Sequence, residues 1–208
     1  MMTYIFGVVI LRNIIFSSRS ADMAGQIRSG ELGRLLIRPL GVFSYWLSRD
    51  MADKVLNVVF TIIEVSLLLW LFKINLYFPQ EATSYIYFFV AVTLAFFLNF
   101  ILSMTISITA FWTEDVWATR WLFGIIFLEF LAGSYFPLDV LPKWLMKFIV
   151  LTPFPYLLYY PVKIWNEQLI GFQSWGIILV CVFWLVFFYL ISIKLWRRGV
   201  KNFNAYGD

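Results

Sequence analysis

Apolar runs fill most of this 208-residue chain, and they decide its class before any motif is read. Residues 51–72, 85–110, 121–135 and 176–196 carry almost no charge. A bilayer core of about 30 Å takes roughly 20 apolar residues of helix, so most of these runs can span it. The chain is 62% hydrophobic and only 13% charged, more apolar surface than a soluble domain of this length can hide. The expected fold is all-α: a polytopic transmembrane helix bundle forming a single membrane domain over residues 1–208.

The rest of the composition narrows the chemistry. There is no histidine, which removes the commonest metal ligand and the usual general base. A Ser-His-Asp or Cys-His mechanism is therefore excluded within the chain. The single cysteine, Cys181, lies mid-run and reads as a small packing residue. No GxxxxGK[ST] loop is present, so ATP is not bound by that route. No metal or cofactor is expected in this chain. The net charge of +4 comes from basic residues flanking the spans, which points to membrane orientation and not to nucleic acid.

Residues 1–16 are apolar but short and are broken by Arg12 and Asn13. The start lacks the basic residues and small-residue cleavage site of a signal peptide. These residues read as the end of a transmembrane helix, with a half-buried interfacial helix as the alternative.

Alternating the loops between two sides separates the basic residues. One side collects Arg19, Arg28, Arg34, Arg38, Arg49, Arg120, Lys194, Arg197, Arg198 and Lys201; the other holds Lys73, Lys143, Lys147 and Lys163. Ten against four, with every loop arginine on the first side, makes that side cytoplasmic. The 17–50 segment, the Glu114-Asp115 loop and the 197–208 tail then face the cytoplasm, and residues 136–175 face outward.

Within 20–40, Met23, Ile27, Leu35 and Leu36 suggest an apolar stripe, with Arg28, Glu31, Arg34 and Arg38 on other faces. Gly30 and Gly33 should divide it into two short helices, and Pro39 should end the second. A helix lying flat on the lipid is one reading. The mixture of apolar and acidic residues suits a groove on a cytoplasmic partner better.

The run at 51–72 carries a polar row, Asp50, Asp53/Lys54, Asn57, Thr61 and Glu64, whose spacing places it on one helical face. A charge in hydrocarbon costs a few kcal/mol, so this face should meet protein or water. Asn99, Ser103 and Ser107 form a milder row in 85–110. Each row can line a translocation pathway or supply hydrogen bonds between packed helices. Glu129, in FLEFLAG, can be neutral, interfacial or paired.

Residues 133–166 are too hydrophobic for an ordinary external loop and too rich in proline for a through-going helix. Pro137, Pro142, Pro153, Pro155 and Pro161 punctuate short helical pieces. Such backbone is tolerated at membrane depth only where protein or a hydrated cavity surrounds it. The expectation is an extracellular-side re-entrant helical hairpin.

The order of IRSGELGRLLIRPL, three apolar runs, GSYFPLDVLPKWL…LTPFPYLLYYP, a last span and WRRGVKNFNAYG resembles the type-2 ABC exporter permeases, in the branch of small bacterial subunits without a fused ATPase domain. The resemblance covers essentially the whole chain. It implies a permease subunit of an ATP-driven efflux transporter in the bacterial cytoplasmic membrane. A second permease subunit, identical or different, would complete the pathway, and a separate ATPase would supply ATP and Mg²⁺. By position, the family's cytoplasmic coupling helix falls on 21–40, assigning ATPase coupling to Ile27, Arg28, Glu31, Leu32, Arg34, Leu35, Leu36 and Arg38. The pathway candidates are Asn57, Thr61, Glu64, Asn99, Ser103 and Ser107. The re-entrant element falls on Phe136, Pro137, Asp139, Pro142, Trp144, Pro153 and Pro155. The family's N-terminal helix and first span have no counterpart before residue 1, so an N-terminal truncation is expected. A membrane-embedded lipid-modifying enzyme would need a converging acid–base or metal set, for which only Glu114-Asp115 qualifies. An ion-coupled transporter would rest on Glu64 and Glu129, without the internal repeats such folds carry.

Overall fold

The computed structural model describes residues 2–16, 18, 22–73, 77–113, 128–201 and 203, and the regular structure of these residues is entirely helical. The elements are α1 (Met2–Ile15), α2 (Met23–Arg28), α3 (Leu32–Leu36), α4 (Val42–Phe72), α5 (Ala82–Ile108), α6 (Lys143–Val150), α7 (Tyr159–Trp165) and α8 (Phe172–Lys201). Short 3-10 turns stand at Thr109–Phe111, Leu138–Val140 and Phe154–Tyr156.

Among the described residues three helices are long and apolar enough to cross a membrane: α4, α5 continued through Phe111, and α8. The 31 residues of α4 run about 46 Å at about 1.5 Å each, beyond the hydrocarbon thickness. It begins at Val42, ahead of the expected 51, because no glycine or proline interrupts the chain between Gly41 and Phe72. Polarity at 44–50 marks where the hydrocarbon ends, not where the helix ends. α8 also overruns its expected limits at both ends, running from Phe172 to Lys201. Of the expected span at 121–135, residues 121–127 lie outside the described residues.

The central helix is α5, which packs along α8 and also meets α1 and α7. Tyr4, Val8, Leu11 and Ile15 recur at helical spacing and bury one face of α1 against Ala95, Leu98 and Leu102 of α5 and Val162 of α7. At Gly7 an added Cβ would sit 3.3 Å from a methyl of Val162, so the Val162 side chain of α7 packs directly on the α1 backbone there. Cys181 is a buried free thiol in the same core, as its apolar surroundings suggest. α4 packs against α1 and otherwise turns large apolar side chains outward, Trp70 at 75% exposure among them. That surface is costly in water and at home in lipid.

A second apolar cluster closes the arginine-rich end. Met23, Ile27, Leu32 and Leu35 pack on Trp46, Phe100, Ile101, Met104 and Ile108, so α2 and α3 lie against the ends of α4 and α5. Gly30, at φ +74°, makes the break between α2 and α3, a conformation that other residues rarely adopt. Gly33 lies inside α3 instead of breaking it.

At the proline-rich end, Lys143–Val150 and Phe154–Trp165 meet at 78°. Asp139 accepts hydrogen bonds from Lys163 Nζ at 2.7 Å and Tyr159 Oη at 2.6 Å. The chain between residues 139 and 163 therefore leaves and returns at one level. Partial burial raises the Asp139 pKa, but the hydrogen bonds from Lys163 and Tyr159 and the Lys163 charge outweigh it and hold the carboxyl below its usual range.

Glu167, following α7, ties this end to α5. Its carboxylate accepts from the backbone N–H of Gln80 (2.9 Å) and Glu81 (2.8 Å), from Ser84 Oγ (3.2 Å), and from the Tyr77 hydroxyl. A carboxylate is favoured there, because the first N–H groups of a helix are unpaired and carry partial positive charge. The Tyr77 hydroxyl and then the Glu81 N–H lower its pKa, outweighing the opposing desolvation. A lowered folded pKa gives stability that is present above the unfolded carboxylate range and lost as pH falls through the folded value. Glu167→Gln should therefore lower the thermal midpoint in detergent at neutral pH. The gap from the parent protein should shrink as pH falls through that lowered folded value, where the Glu167 carboxylate takes up a proton and both side chains become uncharged.

Candidate functional site

The polar row of α4 faces α1, and the two helices enclose a groove of about 500 Å³. Arg12, Asn13 and Phe16 line one wall; Asn57, Phe60, Thr61 and Glu64 line the other. Three of the six expected pathway residues are thus brought together: Asn57, Thr61 and Glu64. Glu64 is solvent-accessible and has no hydrogen bond or ion pair to another described residue. It lies eight residues before Phe72, about 12 Å from that end of α4. Arg12 lies ten residues after Met2, about 15 Å into α1 from the same end, where Thr3 Oγ1 accepts the Tyr77 N–H at 3.3 Å. The two charges sit at similar depth. An ionised carboxylate at the centre of a bilayer costs about 2.5–3.5 kcal/mol, so Glu64 requires water or a counter-charge in the groove.

Arg12 is committed elsewhere. Its guanidinium donates to Glu129 Oε1 at 2.7 Å, and the Tyr135 hydroxyl donates to Glu129 Oε2. Glu129 is therefore paired, which settles the three readings its sequence allows. The Arg12 side chain stays 44% exposed and Glu129 18%, so the bridge has an open side at Arg12. Sequence reading missed Arg12 and Asn13 as groove residues. The available signal was a charge inside a 16-residue apolar run, which demands a partner at membrane depth.

The other row does not line this groove. Asn99 Nδ2 donates to Ile15 O at 2.6 Å, and Lys54 Nζ donates to the same carbonyl at 2.8 Å. Ser107 is completely buried and Ser103 half-buried. All three sit on α5 away from the groove, and Asn99 joins α5 to the end of α1. Their regular spacing marked a face toward protein and could not say which part of the protein. Further along α5, Thr105 Oγ1 and Ser192 Oγ, 2.6 Å apart, join α5 to α8.

The coupling residues divide by face. Ile27, Leu32 and Leu35 are buried in the chain's own core, correcting the expectation that they offer an apolar stripe to a partner. An amphipathic helix needs an apolar surface to lie on, and here α4 and α5 supply it. Arg28, Glu31, Arg34, Leu36 and Arg38 remain exposed, joined by Ile37 at 86%. Of the re-entrant residues, Pro153 and Pro155 are buried, Phe136 and Pro137 half-buried, and Asp139, Pro142 and Trp144 exposed. Glu114, Asp115 and Arg120 lie outside the described residues.

This combination of a polar groove set in an apolar bundle and an exposed ridge bolted to one end agrees with the one comparison that returns a result. A family profile described as "ABC-2 family transporter protein" matches residues 1–207. The chain belongs to the ABC-2 transporter family. Searches of curated proteins and of solved structures return no match. As an ABC-2 family chain it is a membrane protein with transmembrane helices and an ABC permease role, a transport component and not an enzyme. For an ABC-2 permease the groove between α1 and α4 is the arrangement of most interest, since it gathers polar groups in an apolar bundle.

Proposed function

We propose that the chain is the membrane-spanning subunit of an ATP-driven exporter in the bacterial cytoplasmic membrane. It works with a separate ATPase, which holds ATP and Mg²⁺, and with a second permease subunit, identical or different. The arginine-rich end faces the cytoplasm by the positive-inside rule. The proline-rich end faces outward, and its bent pair, pinned by Asp139–Lys163, forms a re-entrant element over the outer end of the pathway.

The observation that carries this reading is the two-faced α2–α3 unit. One face, Ile27, Leu32 and Leu35, is fixed to α4 and α5; the other, Arg28, Glu31, Arg34, Leu36, Ile37 and Arg38, is exposed. A partner pressing on the free face moves the buried face with it. Trp46, fully buried in the same cluster, passes that motion to α4. Because α4 also carries Asn57, Thr61 and Glu64, tilting it changes access to the groove.

The test separates the two faces. Arg34→Glu with Ile37→Asp should leave the purified protein folded and weaken co-purification of the ATPase about tenfold or more, as loss of two central interface contacts does. Leu35→Asp should instead reduce folded protein, since it buries a carboxylate in the cluster. Unchanged ATPase binding with both exposed residues replaced would refute the docking role. An ion-coupled transporter predicts transport driven by a proton or sodium gradient with no ATPase present.

A further inference from the structure

We propose that Arg12 is a two-position counter-ion that holds Glu129 in the arrangement seen here and transfers to Glu64 in the alternative arrangement of the groove. This rests on reading the groove as part of the pathway. One cation is bonded to Glu129 and lines the same groove as Glu64, and both acids need a partner at that depth. The guanidinium has five N–H donors in a fixed fork, and its bond to Glu129 uses one nitrogen. Its exposed side opens on the groove that Glu64 lines.

Departure of Arg12 would not leave Glu129 bare. The Tyr135 hydroxyl already donates to its second oxygen and stays in place. The Tyr135 ring lies 6.0 Å from the guanidinium carbon, a cation–π contact that holds Arg12 in its first position without locking it. Beyond Arg12, the Ile15 carbonyl is fixed by Lys54 of α4 and Asn99 of α5. That clamp anchors α1 at one end while Arg12, nearly one turn earlier, changes partner. Transfer to Glu64 draws the Arg12 stretch of α1 toward α4 and narrows the groove.

The test uses the full chain in native membranes, in a Cys181→Ser background with Asn13→Cys on α1 and Phe60→Cys on α4. A short bifunctional thiol reagent reads how closely the two walls approach. Glu129→Gln keeps shape and the Tyr135 contact but weakens the first position, so cross-linking should rise severalfold. Glu64→Gln weakens the second position, so cross-linking should fall. In an Arg12→Gln background neither substitution should change the yield. Unchanged yields for Glu129→Gln and Glu64→Gln, or responses that persist without Arg12, overturn the exchange. If Glu129→Gln does not fold, Glu64→Gln decides alone, since that side chain is accessible and its loss leaves the core intact. Reactivity of Phe60→Cys by itself toward a water-soluble thiol reagent keeps the two claims apart. An unreactive Phe60→Cys removes the hydrated groove and the exchange with it, whereas a reactive one with unchanged cross-linking removes the exchange only.

Discussion

Lys54→Met combined with Asn99→Leu should destabilise the protein by more than the sum of the two single changes. Both side chains donate to one acceptor, the carbonyl of Ile15. α1 ends at Ile15, so this carbonyl belongs to the last turn and has no acceptor role inside the helix. Either donor alone keeps it satisfied. Hydrogen bonds between membrane helices are worth on average about 0.6 kcal/mol, with charged donors nearer 1.5–3 kcal/mol. Asn99→Leu should be the milder single change, because it also removes an Oδ1 that is buried without a partner. Lys54→Met loses a charged donor that also lies 5.7 Å from the Phe96 ring centre. The double variant leaves the carbonyl buried with neither donor, adding about 1–3 kcal/mol beyond additivity. Denaturant titration of the four proteins in detergent measures this coupling directly, and strict additivity would show that the shared carbonyl is not the link.

Gly199→Ala should cost about 1–3 kcal/mol, a large effect for a single added methyl group. A Cβ at this point of α8 would lie 2.2 Å from Cδ2 and 2.7 Å from Cγ of Phe111. Phe111 cannot simply rotate away, because it packs edge-on against Trp112, Trp196 and Phe203. The ends of α5 and α8 would have to separate, loosening the end on which α2 and α3 sit. Gly176 in the same helix supplies the contrast, with nothing within 4 Å of its added Cβ. Gly176→Ala should therefore be neutral or stabilising by up to about 1 kcal/mol, the helix preference of alanine over glycine. Thermal unfolding of the two variants side by side reads the difference; similar midpoints would contradict the close contact of α8 with Phe111.

Much of this architecture is legible in the residues themselves, and what escapes has a physical reason. Spacing alone places Asn57, Thr61 and Glu64 on one face of α4, and the prolines of 137–161 locate the bent element. Hydropathy finds α4, α5 and α8 but misplaces their ends, since a helix such as α4 continues past the membrane wherever no residue breaks it. The amphipathic stripe of α2 and α3 announces an apolar face without naming what covers it, so Ile27, Leu32 and Leu35 read as partner-facing although the bundle itself buries them. The spacing of Asn99 and Ser107 likewise marks a face toward protein without saying which part of the protein it meets, because a polar face serves packing as readily as a pathway. The Arg12–Glu129 bridge joins positions 117 residues apart and leaves no local trace beyond the anomaly of each charge in its apolar run.

The groove between α1 and α4 is the centre of the functional reading, and its access from the two sides of the membrane can be measured without knowing the cargo. Asn57→Cys in a Cys181→Ser background, assembled with its ATPase partner in sealed vesicles, would be exposed to a membrane-impermeant thiol reagent from each face in turn. An ABC permease that alternates access through this groove predicts labelling from one face without nucleotide and from the opposite face with bound ATP. Labelling that ignores nucleotide, or no labelling from either face, would contradict it.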